Sequence, residues 1–108
     1  MNNKALIEKI INHAEKIVKY CEPISNQSDF FSNPMLVESC VFNLIQIGET
    51  ANKLETVFVD ENPNIPWHAL YGLRNRIVHD YDGVKFNLVW DIVHDDIPEL
   101  IINLEALL

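Results

Sequence analysis

The chain has 108 residues, 48% of them hydrophobic, and eight basic against 16 acidic side chains give a formal net charge of −8. That is the length of one domain, residues 1–108, with enough apolar content to bury a core, so an extended disordered polymer is excluded. The acidic balance also excludes a broad, sequence-independent nucleic-acid surface, which needs dispersed basic charge.

Any nucleic acid must therefore be held by a small local cluster, or else the partner is a protein. No apolar run approaches the ~20 residues that span a bilayer. Cys21 and Cys40 lack CxxC spacing and no signal peptide is read at the N-terminus, so reduced thiols in a cytoplasmic protein are expected.

Residues 2–20 read as an amphipathic helix, with Leu6, Ile10, Ile11, Ala14, Ile17 and Val18 recurring at spacings of three and four. Glu22-Pro23 ends it, and Ser25 to Asn33 reads as a polar loop with Phe30 and Phe31 folded back on the core. Asn33-Pro34 is a helix-start signal, an N-cap residue followed by proline at the first helical position. The helix that follows is expected to run to about Val59 as the longest element. At about 100° per residue, Val37, Cys40, Val41, Leu44, Ile47, Gly48, Ala51 and Leu54 make one broad apolar face. Met35, Phe42 and Ile45 fall toward the other side with Glu49, and a helix apolar on two faces has two neighbours to bury against. The second neighbour is expected to be another copy of the chain.

Asp60 to Pro66 is a turn-rich connection, and a third helix starts near Pro66-Trp67 with Leu70, Leu73 and Ile77 as its core stripe. Asp82-Gly83 is a turn signal that ends it near His79–Tyr81. Asn87 is expected to cap a last helical segment, Leu88 to Leu108. Trp90, Ile92, Val93, Ile97, Leu100, Ile101 and Leu104 are its candidate buried positions. Pro98 inside it either kinks the helix or restarts it from Asp95 or Asp96. With no strand alternation and no repeats, the fold class is all-α, an up-and-down bundle of four to five helices, homodimeric.

The third helix holds the chemistry. The only two arginines, Arg74 and Arg76, lie there, followed by His79 and Tyr81. A guanidinium is permanently charged and binds phosphate bidentately, and an imidazole carries protons near neutral pH. Together they suggest a phosphodiester site. Asn75 and His79 share a face one turn apart, with His68 and Gly72, whereas Arg74 sits roughly 140° from His79 near the apolar stripe. An arginine there needs a carboxylate, because an unpaired buried charge is costly, and Glu49 is the first candidate. Gly72 is unfavourable in a helix by roughly 1 kcal/mol against alanine, and its bare face would let a second backbone come close. Two copies meeting there across a twofold axis would bring two Arg/Asn/His sets into one cleft.

Gly72–Tyr81 reads as Arg-x4-His-x-Tyr with the polar Asn75 directly after the arginine. This resembles the signature of the HEPN superfamily, specifically the HepT-like (DUF86) toxins. The flanks are similar too: Ile47-Gly48-Glu49 before it, Pro63-x-Ile65-Pro66-Trp67 leading into it, and Val89-Trp90-Asp91-Ile92-Val93 and Leu100 after it. The resemblance covers nearly the whole chain.

It implies a helical homodimer and a metal-independent ribonuclease of a type VII-like toxin–antitoxin module. In such enzymes the ribose 2′-hydroxyl attacks the adjacent phosphate and leaves a cyclic phosphate and a 5′-hydroxyl. Carried onto this sequence, His79 is the general base or acid, Arg74 stabilises the phosphorane charge, and Asn75 orients the histidine or the phosphate. The family's usual partner is a minimal nucleotidyltransferase antitoxin that transfers AMP groups to the motif tyrosine, here Tyr81. Bulky anionic groups two residues from His79 would repel an RNA phosphate. RNA, with tRNA as a candidate, is the implied substrate.

Other residues keep two readings. Arg76 pairs with Asp80 one turn on or touches substrate, and Glu49 is the structural partner of Arg74 or a member of the site. Trp67 and Trp90 read as core anchors, and His68 as solvent-exposed. His13, His68, His79 and His94 lack ligand spacing, so no metal and no cofactor are expected, and His94-Asp95-Asp96 reads as a solvated face. The competing function is a non-catalytic module that binds nucleotide or substrate for a nucleotidyltransferase.

Overall fold

In the computed structural model the chain begins its first helix at a side chain. Asn2 Oδ1 accepts from the Ala5 amide at 2.8 Å, satisfying one of the donors that a helix start leaves open. The structure describes the backbone of residues 2–81 and 86–108, and the side chains of these except 78–81, 86 and 87.

Helix α1 (Asn3–Cys21) follows, then α2 (Gln27–Phe31), α3 (Pro34–Ala51), α4 (Thr56–Glu61), α5 (Trp67–Tyr71) and α6 (Leu73–Tyr81). The chain ends in α7 (Phe86–Asp91), a π-helical turn (Ile92–Asp96) and α8 (Ile97–Glu105). The described residues contain no strand, so the fold is all-α. No helix among them is long and apolar enough to cross a membrane.

Four rods enclose one core. α1 lies along α3, α5 and α6 flank α3, and α8 flanks α1. The expected stripes supply the interior: Leu6, Ile10, Ile11, Ala14 and Ile17 from α1, Val37, Cys40, Leu44, Ile47 and Ala51 from α3, and Leu70, Leu73 and Ile77 from α5–α6 are all buried. Ile7 joins them, whereas Val18 stays 38% exposed and Ile101 is only half-buried. Phe30 is fully buried, with its ring centroid 5.1 Å from Phe31 and 5.2 Å from Trp90. Both tryptophans are core anchors as expected, and Trp67 Nε1 donates to the Asn62 carbonyl at 2.8 Å.

Local chemistry breaks the rods where periodicity alone does not. The segment around Phe30 is not a loop but helix α2, because Asn26 Oδ1 accepts from the Asp29 amide at 2.9 Å. α3 stops at Ala51 rather than about Val59, which leaves α1 as the longest element, 19 residues against 18. Asn52 Nδ2 binds the Gly48 carbonyl at 3.0 Å, and the Lys53 and Leu54 amides turn back to Thr50 and Ala51. The last α3 carbonyls are thus used up by a tightened turn. Leu54 drops into the core, and Asn3 Oδ1 receives the Glu55 amide at 3.3 Å.

The third helix divides at Gly72, which caps α5 with its amide on the His68 and Leu70 carbonyls, while the Arg76 amide returns to Gly72 at 2.9 Å. Pro98 acts upstream. Its ring would strike the carbonyl four residues back in a regular helix; here the preceding turn widens, with the Ile97 amide reaching Ile92 O. α8 then restarts with Asp96 in the cap position and Pro98 in its first turn. Asn87 is not a cap, since it lies inside α7. The Asp82-Gly83 turn lies outside the described residues.

Candidate active site

Gly48 determines how closely the motif helix approaches α3. A Cβ at that position would stand 2.9 Å from the Leu70 carbonyl oxygen, 3.4 Å from Leu73 Cβ and 3.6 Å from the Arg74 amide. The first distance is too short for any real Cβ, so the α5–α6 backbone lies on α3 only because glycine is there. The sequence reading gives Gly72 a different approach, that of a second copy, and within one chain its face is open. A Cβ on Gly72 would meet nothing nearer than His68 O at 3.7 Å. The signal for Gly48 was available: a glycine in the middle of a long helix costs about 1 kcal/mol and needs a packing reason.

The next residue, Glu49, emerges at the edge of this contact, and its Oε1 forms an ion pair with Arg74 Nε at 3.1 Å. The partnership inferred from the sequence is therefore present. The two side chains are 47% and 60% exposed, so this is not a buried ion pair. An exposed pair contributes roughly 0.2–1 kcal/mol, too little to matter for the fold. Its consequence is positional: the guanidinium is held at its Nε edge beside the carboxylate and stays reachable from solvent.

Asn75 and His68 are exposed on the same stretch, and residues 75 and 79 fall one helical turn apart on α6. The backbone of α6 extends through His79 and Tyr81, whose side chains lie outside the described residues, as does the suggested Arg76–Asp80 pair.

Arg76 is roughly 200° around the helix from Arg74 and reaches the opposite side. It lines a cleft of ≈ 370 Å³ between α5–α6 and the π turn with α8, together with Asp96 and Glu99. Burial, then the neighbouring Asp95 and Glu99, push the Asp96 carboxyl above its usual range, and the Arg76 charge opposes that shift. The two arginines thus have separate surroundings, and only Arg74 is joined to Glu49.

The other histidines have local roles. Asn43 Nδ2 donates to the Ser39 carbonyl at 2.8 Å, so its Oδ1 faces His13 Nδ1, also at 2.8 Å, as acceptor. His13 therefore carries its proton on Nδ1 and bridges α1 to α3. His94 stacks on Trp90 at 4.9 Å and holds Asp95 at 2.8 Å, with both side chains more than half exposed. Among the described residues no group of three or more His, Cys, Asp or Glu is placed to hold a metal ion.

An all-helical domain that tethers an exposed arginine on the helix of an Arg-x4-His-x-Tyr motif has the make-up of a HEPN domain. The chain belongs to the HepT-like family: the sequence model described as "Ribonuclease HepT-like" matches residues 10–107. A protein of Methanocaldococcus jannaschii named "Putative RNase" is 31% identical over 97 residues, covering 90% of this chain and 88% of that one. Another of that name from Caldanaerobacter subterraneus is 31% identical over 94 residues, 87% of this chain and 83% of the relative. A "Probable ribonuclease HepT" of Thermococcus cleftensis is 28% identical over 99 residues, 92% and 89% of the two chains. No solved structure gives a significant match.

Proposed function

We propose that the chain is a metal-independent endoribonuclease, the toxin of a two-gene toxin–antitoxin module. The observation that carries this reading is the tethered, solvent-facing Arg74 on the helix that also bears His79, in a chain of the HepT-like family. The names of its relatives support RNA as the substrate.

In this reading a ribose 2′-oxygen bonds to the adjacent phosphorus while the P–O5′ bond breaks. His79 takes the 2′-hydroxyl proton or returns one to the departing 5′-oxygen. Arg74 neutralises the charge that builds on the phosphorane, which is where a guanidinium is most effective. Asn75, one turn before His79, orients the imidazole or the phosphate.

A second copy completes the cleft. One histidine then serves as base and its symmetry mate as acid, and the doubled arginines offset an acidic chain. The outer face of α3 supports a homodimer: Met35 is 82% exposed and Phe42 58%, both large apolar side chains. The cognate partner is a minimal nucleotidyltransferase that silences the toxin by adding AMP to Tyr81.

Two measurements test this. Induced expression of wild type should arrest growth and fragment RNA, whereas His79→Ala and Arg74→Ala should do neither. Equal growth of all three strains with intact RNA would refute the toxin reading. Intact mass after co-expression with the neighbouring nucleotidyltransferase should rise by multiples of an AMP unit in wild type and stay unchanged in Tyr81→Phe.

A further inference from the structure

Cys21 and Cys40 are 19 positions apart in sequence, yet their sulfur atoms lie 3.5 Å apart where the end of α1 meets α3. We propose that they form a redox-active dithiol, a modification site that closes to an intramolecular disulfide on exposure to a peroxide.

The geometry assigns different roles to the two thiols. Cys21 is half-buried and accessible, whereas Cys40 is fully buried and its sulfur meets that of Cys21. The hydrogen bond between them lowers the Cys21 thiol below its usual range, and that contact and burial raise Cys40. Cys21, the accessible thiol and the more readily ionised, is thus the one that meets an oxidant, and Cys40 the thiol that resolves the product. The Cys21 sulfur attacks one peroxide oxygen, the O–O bond breaks, and a sulfenic acid and water result. The Cys40 sulfur then attacks the Cys21 sulfur, the S–O bond breaks, and a second water leaves with the Cys40 proton. Two thiols and one peroxide give one disulfide and two waters.

Closing the gap from 3.5 Å to the roughly 2.05 Å of an S–S bond needs a small movement at one end only. Cys40 sits inside α3, whereas Cys21 is the last residue of α1, followed by a cap whose amide reaches Lys19 O at 3.3 Å. The bond would tie two helices already bridged by His13 and Asn43, so it preserves the fold it forms in.

The test uses the full chain, reduced, freed of reductant and treated with equimolar hydrogen peroxide. It is then denatured, alkylated with N-ethylmaleimide and weighed intact. Wild type should lose two hydrogens and take up no maleimide, and its melting temperature should rise by about 10 °C because the cross-link restricts the unfolded chain. Cys40→Ser should stop at a Cys21 sulfenic acid that dimedone traps, and Cys21→Ser should resist the same dose. The wild-type mass needs no variant, so loss of folding in Cys40→Ser would not obscure the outcome. Two maleimides on treated wild type, or a covalent dimer on a non-reducing gel, would overturn the proposal.

Discussion

Glu49 on α3 and Arg74 on α6 are joined by one contact, Oε1 to Nε at 3.1 Å, in a place where both remain substantially exposed. A pair in that setting has little leverage on the fold and considerable leverage on where a guanidinium points. Glu49→Gln should therefore separate the two effects. Unfolding free energy should change by less than about 1 kcal/mol. RNA cleavage should fall roughly tenfold or more, because the carboxylate no longer fixes where the guanidinium points. Denaturant melts beside single-turnover cleavage check both halves.

Two glycines should respond with opposite signs. Gly48→Ala puts a methyl group 2.9 Å from the Leu70 carbonyl oxygen, a backbone atom that cannot turn aside. Its cost should be about 1–3 kcal/mol, the usual range for overpacking. Cleavage should drop as well, because the helix carrying Arg74 is pushed away. Gly72→Ala has room and an ordinary right-handed backbone, φ −81° and ψ −7°, so one protomer should gain up to about 1 kcal/mol. Thermal melts distinguish them. If Gly72→Ala is stable yet inactive, its bare face serves the approach of a second copy.

Asp96 gives the fold a pH dependence of known sign. Its folded-state pKa is raised above the unfolded value by burial and by Asp95 and Glu99. The folded state therefore holds that proton more tightly. This group's contribution is most favourable below the ordinary carboxylate range and is lost as pH rises through the raised value. Asp96→Asn should accordingly melt slightly higher than wild type at pH 7, the margin kept small by the exposure of the side chain, and no higher near pH 3. Asp96 makes no side-chain cap bond at the start of α8, so the amide forfeits none.

Phe42 is 58% exposed on α3 beside the 82% exposed Met35. Phe42→Glu should leave a folded monomer, with unchanged helicity by circular dichroism. A variant that still sediments as a dimer would move the interface elsewhere.

The rods, their inward stripes and the Arg74–Glu49 partnership were legible in the sequence for the same reason. Helical period places Leu70, Leu73 and Ile77 on one face and puts Arg74 at its edge, beside the acid of the neighbouring helix. The breaks were not. Thr50 and Asn52 bond to carbonyls four residues back and Gly72 caps α5, local chemistry that helical period does not register, and Pro98 could equally kink a helix or restart one. The proximity of Cys21 to Cys40 depends on how α2 returns the chain, which no spacing rule contains. Arg76 shares its cleft with Asp96 and Glu99, acids at the start of α8 that no spacing on its own helix announces.

In the proposed reaction Arg74 and His79 cut RNA by their own chemistry. The direct measurement is cleavage of a defined RNA by the purified chain in excess EDTA, with the end groups of the fragments identified. Cleavage should persist on chelation, leave a cyclic phosphate and a 5′-hydroxyl, depend on pH across the imidazole range, and vanish in both His79→Ala and Arg74→Ala. Fragments produced equally well by those two variants, or activity abolished by EDTA, would contradict it.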